Sequence, residues 1–264
     1  MKVPALLTAL AVLAGGEAAA QSAKRIQDNS FLLEEAYNQE PGVVQHIQNF
    51  QYQSRSKTWA YNFTQEWPAP GRTHQLSYSI PVSRVSDPDA TGLADVQLHY
   101  RYQLVDRPAL AVAPRLSALL PTGDDKRGLG NGTVGGQFNL PVSVSLSERW
   151  AVHYNGGLTF VPSSREPGGA QADTLGFNQG GSAVFSIGPN LDLLCETAWT
   201  TAQAVQPDGT VERTEALFIN PGLRAAINFK SGLQIVPGIA FPIGAGPSRR
   251  EGGVFAYLSC EHPF

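Results

Sequence analysis

The sequence is poor in charge and in cysteine, and it has no long hydrophobic run. Only 16% of the 264 residues are charged and the formal net charge is −3, so the chain lacks the basic surface that nucleic-acid binding requires. Two cysteines exclude a disulfide-rich scaffold and a cysteine-based zinc module. No apolar stretch reaches the roughly 20 residues of a membrane-spanning helix. The chain is therefore either soluble or a closed β-barrel, the other fold that crosses a bilayer.

The first twenty residues have the pattern of a secretory signal peptide. Lys2 supplies a basic start, residues 3–13 form an apolar stretch, and Ala18, Ala19 and Ala20 form a small-residue cleavage site. A buried N-terminal helix is the alternative interpretation. Since no cysteine follows the cleavage site, the sequence predicts a secreted chain without a lipid anchor.

The rest of the chain alternates between apolar and polar residues with a period of two. In the clearest stretch Leu98, Tyr100 and Tyr102 share one face, while His99 and Arg101 share the other. Such alternation is typical of a strand with one apolar face. The pattern predicts twelve strands, at 43–54, 57–67, 73–84, 93–105, 109–121, 133–146, 150–161, 174–187, 191–203, 214–228, 233–243 and 253–264.

Strand length and connection length separate this pattern from a soluble sandwich. Strands that cross a bilayer need about 9–11 residues, whereas strands of soluble proteins average about 5–6. Connections after even-numbered strands are short, while most connections after odd-numbered strands are longer, as at 85–92, 122–132 and 162–173. Outer-membrane barrels have this alternation of short turns and long loops. We therefore predict an all-β chain, a transmembrane antiparallel up-and-down β-barrel of twelve strands, over 43–264.

Aromatic residues indicate where the barrel meets the membrane surfaces. Trp67 and Trp150 lie next to short turns and Phe264 ends the last strand, while Trp59 and Trp199 lie toward the opposite end. Two aromatic girdles are expected of such a barrel; a soluble β-protein with these residues in its core is the alternative. The expected location is the outer membrane of a Gram-negative-type bacterium. The expected partners are outer-membrane lipid and lipopolysaccharide, a small-molecule solute, and the barrel-assembly machinery, which would read Phe264.

Two stretches of the chain resemble a known family. Residues 31–47 read FLLEEAYNQEPGVVQHI and residues 119–136 read LLPTGDDKRGLGNGTVGG. Both are similar to segments of an outer-membrane family of transporters linked to the phenol-degradation meta pathway. The resemblance implies a barrel that passes hydrophobic or aromatic compounds, and it implies no catalytic residues.

Other chemistries have weak support in the sequence. The glycine-rich residues 128–132 lie between two predicted strands, whereas a phosphate loop needs a strand before it and a helix after it. No serine has a nucleophile-elbow setting, and no His, Cys, Asp or Glu group has metal-ligand spacing. Cys195 and Cys260 are predicted on outward faces three strands apart, too far for a disulfide. We therefore predict no enzyme activity, no metal and no cofactor.

The predicted inward faces collect polar and charged residues that could line a pore. The lumen and solute-binding candidates are His99, Arg101, Arg115, His153, Asn155, Glu196 and Arg224. Residue counting from the turns places His99 level with Arg115, and Glu196 level with Arg224 as an ion pair. Ionisable groups inside a membrane protein pair with each other or mark a pathway, so these residues either bind solute or hold the barrel interior together.

Residues 21–42 have no clear strand pattern. They either hang in the periplasm or fold inward as a plug, because leucines, acids and a tyrosine are mixed between 32 and 37. Twelve strands lie between the filled eight-stranded barrel and the open porins. The sequence thus predicts passive uptake of small solutes, hydrophobic or aromatic compounds among them. A closed structural or adhesion barrel and, with less support, an outer-membrane lipid-modifying enzyme are the alternatives.

Overall fold

The structure, a computed structural model, describes Ile26 and residues 28–264. The predicted signal peptide at 1–20 lies outside the described residues. The twelve strands are β1 (Val43–Gln53), β2 (Trp59–Pro68), β3 (His74–Ser86), β4 (Asp89–Leu93, Gln97–Tyr102 and Val105–Arg107), β5 (Leu110–Val112 and Arg115–Leu119), β6 (Gly135–Ser145), β7 (Trp150–Arg165), β8 (Gln171–Gly188), β9 (Leu191–Val205), β10 (Val211–Ala225 and Ile227–Asn228), β11 (Gln234–Ala240 and Ile243–Gly244) and β12 (Gly253–Pro263). No helix in the described part of the chain is long and apolar enough to cross a membrane.

The strands form one closed antiparallel sheet. Each strand pairs with its neighbours in the sequence, and β12 pairs with β1 along the full length of both strands. The register of this closing pair runs without a break from Val43 opposite Pro263 to Gln53 opposite Gly253. The prediction of a twelve-stranded antiparallel barrel is therefore confirmed.

Burial in this barrel is the reverse of burial in a soluble protein. On β4, Leu98 and Tyr100 are 49% and 38% exposed, whereas His99 and Arg101 on the other face are only 5% and 3% exposed. Aromatic and aliphatic side chains cover the outside of the other strands in the same way. An apolar exterior around a polar interior is the arrangement of a transmembrane barrel, and the predicted faces of β4 are correct.

Several predicted long loops are paired strand instead. The β3–β4 connection contains only Asp87 and Pro88 rather than residues 85–92, and β7 and β8 extend to 165 and from 171. The remaining long connections are 120–134 and 245–252, each with a short 3₁₀ turn. The strand ends were missed because both of their faces are polar. Backbone pairing continues there without an apolar face, as at Arg213 opposite Gln203.

A stretch without regular secondary structure lies inside the barrel. We call Ile26 and residues 28–42 the N-terminal segment. Phe31, Leu33 and Ala36 in this segment are buried, and Phe31 belongs to a buried cluster with inward side chains from β1, β7, β8, β9, β10, β11 and β12. The interior therefore has a small apolar core of its own on one side, which forms around the segment.

Candidate functional site

The N-terminal segment follows the inner wall around the barrel. It contacts Arg224 on β10, then Glu196 on β9, Asn155 on β7, Arg101 on β4 and Gln75 on β3. It then continues into β1. The segment thus touches opposite sides of the interior before the first strand begins.

The Glu196 carboxyl group binds three consecutive backbone N–H groups of the segment. Its Oε1 atom accepts hydrogen bonds from the backbone N–H groups of Phe31, Leu32 and Leu33 at 3.0, 3.0 and 3.2 Å. The Asn220 amide donates to Oε2 at 2.7 Å. Consecutive backbone N–H groups that converge in this way form an anion-binding nest. The fully buried Glu196 carboxyl group is therefore held in a nest built by the segment.

Side-chain amides and a serine replace the strand partners that the segment lacks. Asn155 accepts from the Glu34 N–H and donates to the Glu34 carbonyl, both at 2.8 Å. Gln103 similarly accepts from the Asn38 N–H and donates to the Ala36 carbonyl, both at 2.8 Å. Two further bonds of this kind are Ala36 N–H to Ser143 and Gln39 N–H to Gln75, each 2.8 Å long. Buried backbone groups need such partners. These inward polar residues therefore have a structural role, which is to satisfy the backbone of the segment.

Arg224 joins the segment to the wall through its whole guanidinium. It donates to the backbone carbonyls of Ile26, Asp28 and Asn29 at 2.9–3.2 Å. Its Nε atom lies 3.1 Å from Asp192 and its Nη2 atom lies 3.1 Å from Glu35. The predicted ion pair of Glu196 with Arg224 is therefore wrong. In the β9–β10 register Asp192 faces Arg224 and Glu196 faces Asn220, a shift that residue counting from the turns did not resolve.

A second basic group lies across the interior on β4 and β5. Arg101 donates to Asn38, to the Glu35 and Tyr37 carbonyls, and to Gln75. Arg115 is paired with the Glu34 carboxylate, whose other oxygen lies 3.7 Å from Arg101. Arg115 faces Arg101 in the strand register and His99 faces Ser117, so the expectation that His99 is level with Arg115 is wrong by one pleat.

Two glycines in the wall make room for Phe31. An added Cβ atom at Gly222 or at Gly238 would lie 2.5 Å from the Phe31 ring. The ring packs against Phe255 and Tyr257, with centroids 5.7 and 5.8 Å apart. A contact this close between ring and backbone is a known use of glycine in a strand. These four residues form a notch that holds the ring against β10, β11 and β12.

The two inward histidines have hydroxyl partners. His99 bridges Ser79 and Ser117 at 3.0 and 2.7 Å. His153 lies 2.7 Å from Ser143 and 3.6 Å from Glu35. The Ser143, His153 and Glu35 side chains have the composition of a hydrolase triad, but Ser143 is fully buried and its Oγ accepts the Ala36 N–H. A substrate carbonyl has no approach to this oxygen, so the arrangement fixes the segment.

Six of the seven candidate residues contact the N-terminal segment, and His99 contacts only the wall in the bonds above. Their role in binding solute stays a prediction. The partner carboxylates Glu34 and Glu35 were missed as site residues, because nothing in the segment indicates which wall residues it meets. The inward parity of Gln75 and Asp192 was readable from strand alternation.

The remaining candidate chemistry is limited. Among the residues that the structure describes, no group of three or more His, Cys, Asp and Glu side chains is placed to hold a metal ion. Cys195 and Cys260 are free and are not buried, as their predicted outward position implies.

No protein-family model and no curated protein sequence matches the chain. Solved structures do resemble it. An outer membrane channel from Pseudomonas putida F1 has 15% sequence identity and a TM-score of 0.63, covering 87% of this chain and 98% of that chain. The NanC porin has 10% identity and a TM-score of 0.55, covering 83% and 100%. The KdgM porin in complex with disordered oligogalacturonate has 8% identity and a TM-score of 0.53, covering 83% and 99%.

At these identities the resemblance shows the fold alone. The chain shares its barrel with outer-membrane channels and porins and matches nearly their whole length. Membership in the phenol-degradation family stays a prediction.

Proposed function

We propose that the protein is an outer-membrane channel for the passive uptake of small solutes, hydrophobic or aromatic compounds among them. The observation that carries the proposal is the closed barrel with an apolar exterior and a polar interior. This arrangement suits a lipid surround and a hydrated path. The fold that the chain shares with channels and porins supports the same function.

The proposed location is the outer membrane of a Gram-negative-type bacterium. An even number of strands brings both ends of the barrel to one side, which in such barrels is the periplasmic side. Trp67 and Trp150 lie at this end, and Trp59 lies at the other. These positions fit two aromatic girdles at the headgroup levels. Lipid and lipopolysaccharide would then surround the barrel.

The N-terminal segment acts as the plug of this channel in our proposal. Twelve strands about 4.8 Å apart and tilted about 40° enclose a backbone cylinder roughly 24 Å across. Inward side chains narrow this space, and the segment then occupies the part between β10 and β4. A solute that enters from outside meets the segment before it reaches the periplasm. Uptake therefore requires the segment to move aside.

A disulfide lock on the segment tests the channel and the plug together. Ser30 and Ser182 are buried with their Oγ atoms 3.1 Å apart, a separation that suits replacement of both by cysteine. The lock variant carries Ser30→Cys and Ser182→Cys with Cys195→Ala and Cys260→Ala, and the control carries only the two alanines. Both are refolded into liposomes, and swelling with sugars, amino acids and benzoate is measured beside bilayer conductance.

We expect the control to pass solute under oxidising and reducing conditions, and the lock variant to pass it only when reduced. Equal swelling of the oxidised lock variant and the control would agree with the channel function but would refute the proposal that the segment is its plug. If neither protein passes any solute in either state, the channel proposal fails.

A closed barrel that acts through its external loops is the second candidate function. The observation that favours it is the number of bonds between the segment and the wall, since a segment held by this many bonds suits a permanent core as well as a plug. It predicts no permeation in any redox state of the lock variant.

A further inference from the structure

We propose that Arg101, Arg115 and Asn139 form a binding site for the carboxylate of a small organic acid, and that Glu34 occupies this site as a tethered competitor. The inference rests on the proposed function, since it names the solute that the lumen takes. It adds a ligand class and a reason for the acidic residue at position 34.

The geometry is that of a carboxylate held by two guanidinium groups. One Glu34 oxygen pairs with Arg115 and lies 3.5 Å from the Asn139 amide, while the other lies 3.7 Å from Arg101. Arginine and carboxylate form strong, directional pairs of this kind. A solute carboxylate that replaces Glu34 would meet the same donors without a change in the charge of the site.

The site is open on the side of Arg115 and Glu34, unlike the other ion pairs of the interior, while Arg101 and Asn139 form its buried inner part. The Glu34 and Arg115 side chains retain 19% and 17% exposure, whereas Arg224, Asp192 and Glu35 retain 4% or less. Of the two ion-paired carboxylates Glu34 and Glu35, Glu34 is therefore the one that an incoming solute can more readily displace.

Arg115 also has unused hydrogen-bonding capacity. It donates through Nη2 to Gln137 at 2.8 Å, but its buried Nε atom has no hydrogen-bond partner. A buried donor without a partner costs free energy, and a second ligand oxygen at this point would satisfy it. The tethered carboxylate of Glu34 thus leaves part of the site unfilled.

The wall side of the site stays in place when Glu34 leaves. Arg101 keeps four other acceptors and lies 3.6 Å from Glu66. The backbone of Glu34 keeps both of its bonds to Asn155. Displacement therefore needs only rotation of the Glu34 side chain, and it leaves the site with one uncompensated positive charge that attracts an anion.

The test measures benzoate binding to the refolded full-length protein by calorimetry in detergent. Benzamide serves as the neutral probe of the same shape. The variants are Glu34→Gln, which removes the competing charge, and Glu34→Gln combined with Arg115→Gln. Glu148→Gln removes an exposed charge from a turn outside the barrel interior and serves as the matched control. Folding of every variant is checked by its heat-dependent shift in electrophoretic mobility.

We expect Glu34→Gln to bind benzoate at least about tenfold more tightly than the wild type, since one charge-assisted contact is worth about that factor. The double variant should lose this gain, and benzamide binding should not change. Equal benzoate affinity of the wild type, Glu34→Gln and the double variant would overturn the site. Because binding is measured without transport, it can hold or fail independently of the swelling experiment.

Discussion

The buried ionisable side chains of this protein make more hydrogen bonds to the backbone of the N-terminal segment than to one another. Arg224 donates to three backbone carbonyls of the N-terminal segment and pairs with Asp192 and Glu35. Such a group is costly to bury and is retained only when its donors are satisfied. The same holds for Glu196, whose acceptors are filled by three backbone N–H groups.

We expect Arg224→Met to destabilise the protein by about 3–5 kcal/mol, the usual cost of removing one partner of a buried ion pair. Asp192 and Glu35 would lose their guanidinium, and three carbonyls would lose a donor. Urea unfolding of the protein in lipid vesicles measures the effect. Arg213→Met, at an exposed position on β10, is the control, and equal unfolding midpoints for the two variants would contradict the prediction.

The elements of the barrel differ in what holds them. Strands are held by backbone ladders, whereas the N-terminal segment is held by wall side chains and by the Phe31 notch. Gly238 contributes to that notch because it has no side chain. An added Cβ atom there would lie 2.5 Å from the Phe31 ring and 3.3 Å from the Arg224 Cβ.

We expect Gly238→Ala to push the Phe31 ring from its notch and to loosen the segment. Burial of such a ring contributes about 1.5–3 kcal/mol, so part of that free energy would be lost. Chymotrypsin cleavage after Phe31 in the folded protein measures the loosening, and the wild type should resist it. Gly136→Ala, where an added Cβ has nothing within 4 Å, should cleave like the wild type.

A carboxylate links two loops at the end of the barrel where β1 turns into β2. Glu251, in the 245–252 loop, accepts hydrogen bonds from the backbone N–H groups of Arg55 and Ser56 at 2.9 and 3.1 Å. Burial acts to raise the pKa of Glu251. The hydrogen bonds from Arg55, Gly252 and Ser56 together outweigh it and hold this pKa below the ordinary value of 4.5.

A lowered pKa means that the contact is complete above the ordinary carboxyl value and is lost as the pH falls through the lowered pKa. We expect the Arg55 and Ser56 amides to exchange slowly at neutral pH and to lose protection in acid, below pH 4.5. Amide hydrogen exchange, corrected for the intrinsic rate, measures this. In Glu251→Gln the protection should be weaker at neutral pH and should not change in acid; a wild type without any acid-dependent change would refute the clamp.

At the scale of the whole molecule, closure of the barrel leaves its last residue outside the packing. The Phe264 N–H donates to the Gly42 carbonyl at 3.0 Å, but its side chain is 76% exposed. The ring therefore packs against little of the finished barrel, and we expect its role to lie in assembly.

We expect Phe264→Ser to reduce the amount of folded protein in the outer membrane of expressing cells without changing its urea unfolding after refolding in vitro. Phe264→Tyr, which keeps an aromatic end, should assemble normally. The folded fraction in isolated membranes, read from the mobility shift on heating, measures assembly. Normal assembly of Phe264→Ser would remove the assembly machinery from the partners that the sequence leads us to expect.

The alternation of residues along the chain determined most of the fold. Side chains of a strand point to opposite faces in turn, so the inward position of His99, Arg101 and Asn155 and the outward position of Leu98 and Tyr100 follow from local order alone. The number of strands followed for the same reason, because each stretch with one apolar face predicts one strand that crosses the membrane. Strand ends such as the one at Arg213 were not predicted, because the alternation of apolar and polar residues stops before the backbone pairing ends.

Only the tertiary structure decided the partners inside the barrel. Glu196 binds Phe31 across 165 positions of sequence, and it binds a backbone N–H group that nearly every residue has, so no pattern marks the pair. Register also decides partners: four residues, or two inward positions, separate the predicted partner Glu196 from the observed partner Asp192 of Arg224. Local alternation thus tells which side chains face inward, whereas the path of the N-terminal segment depends on which buried groups satisfy one another once the barrel has closed.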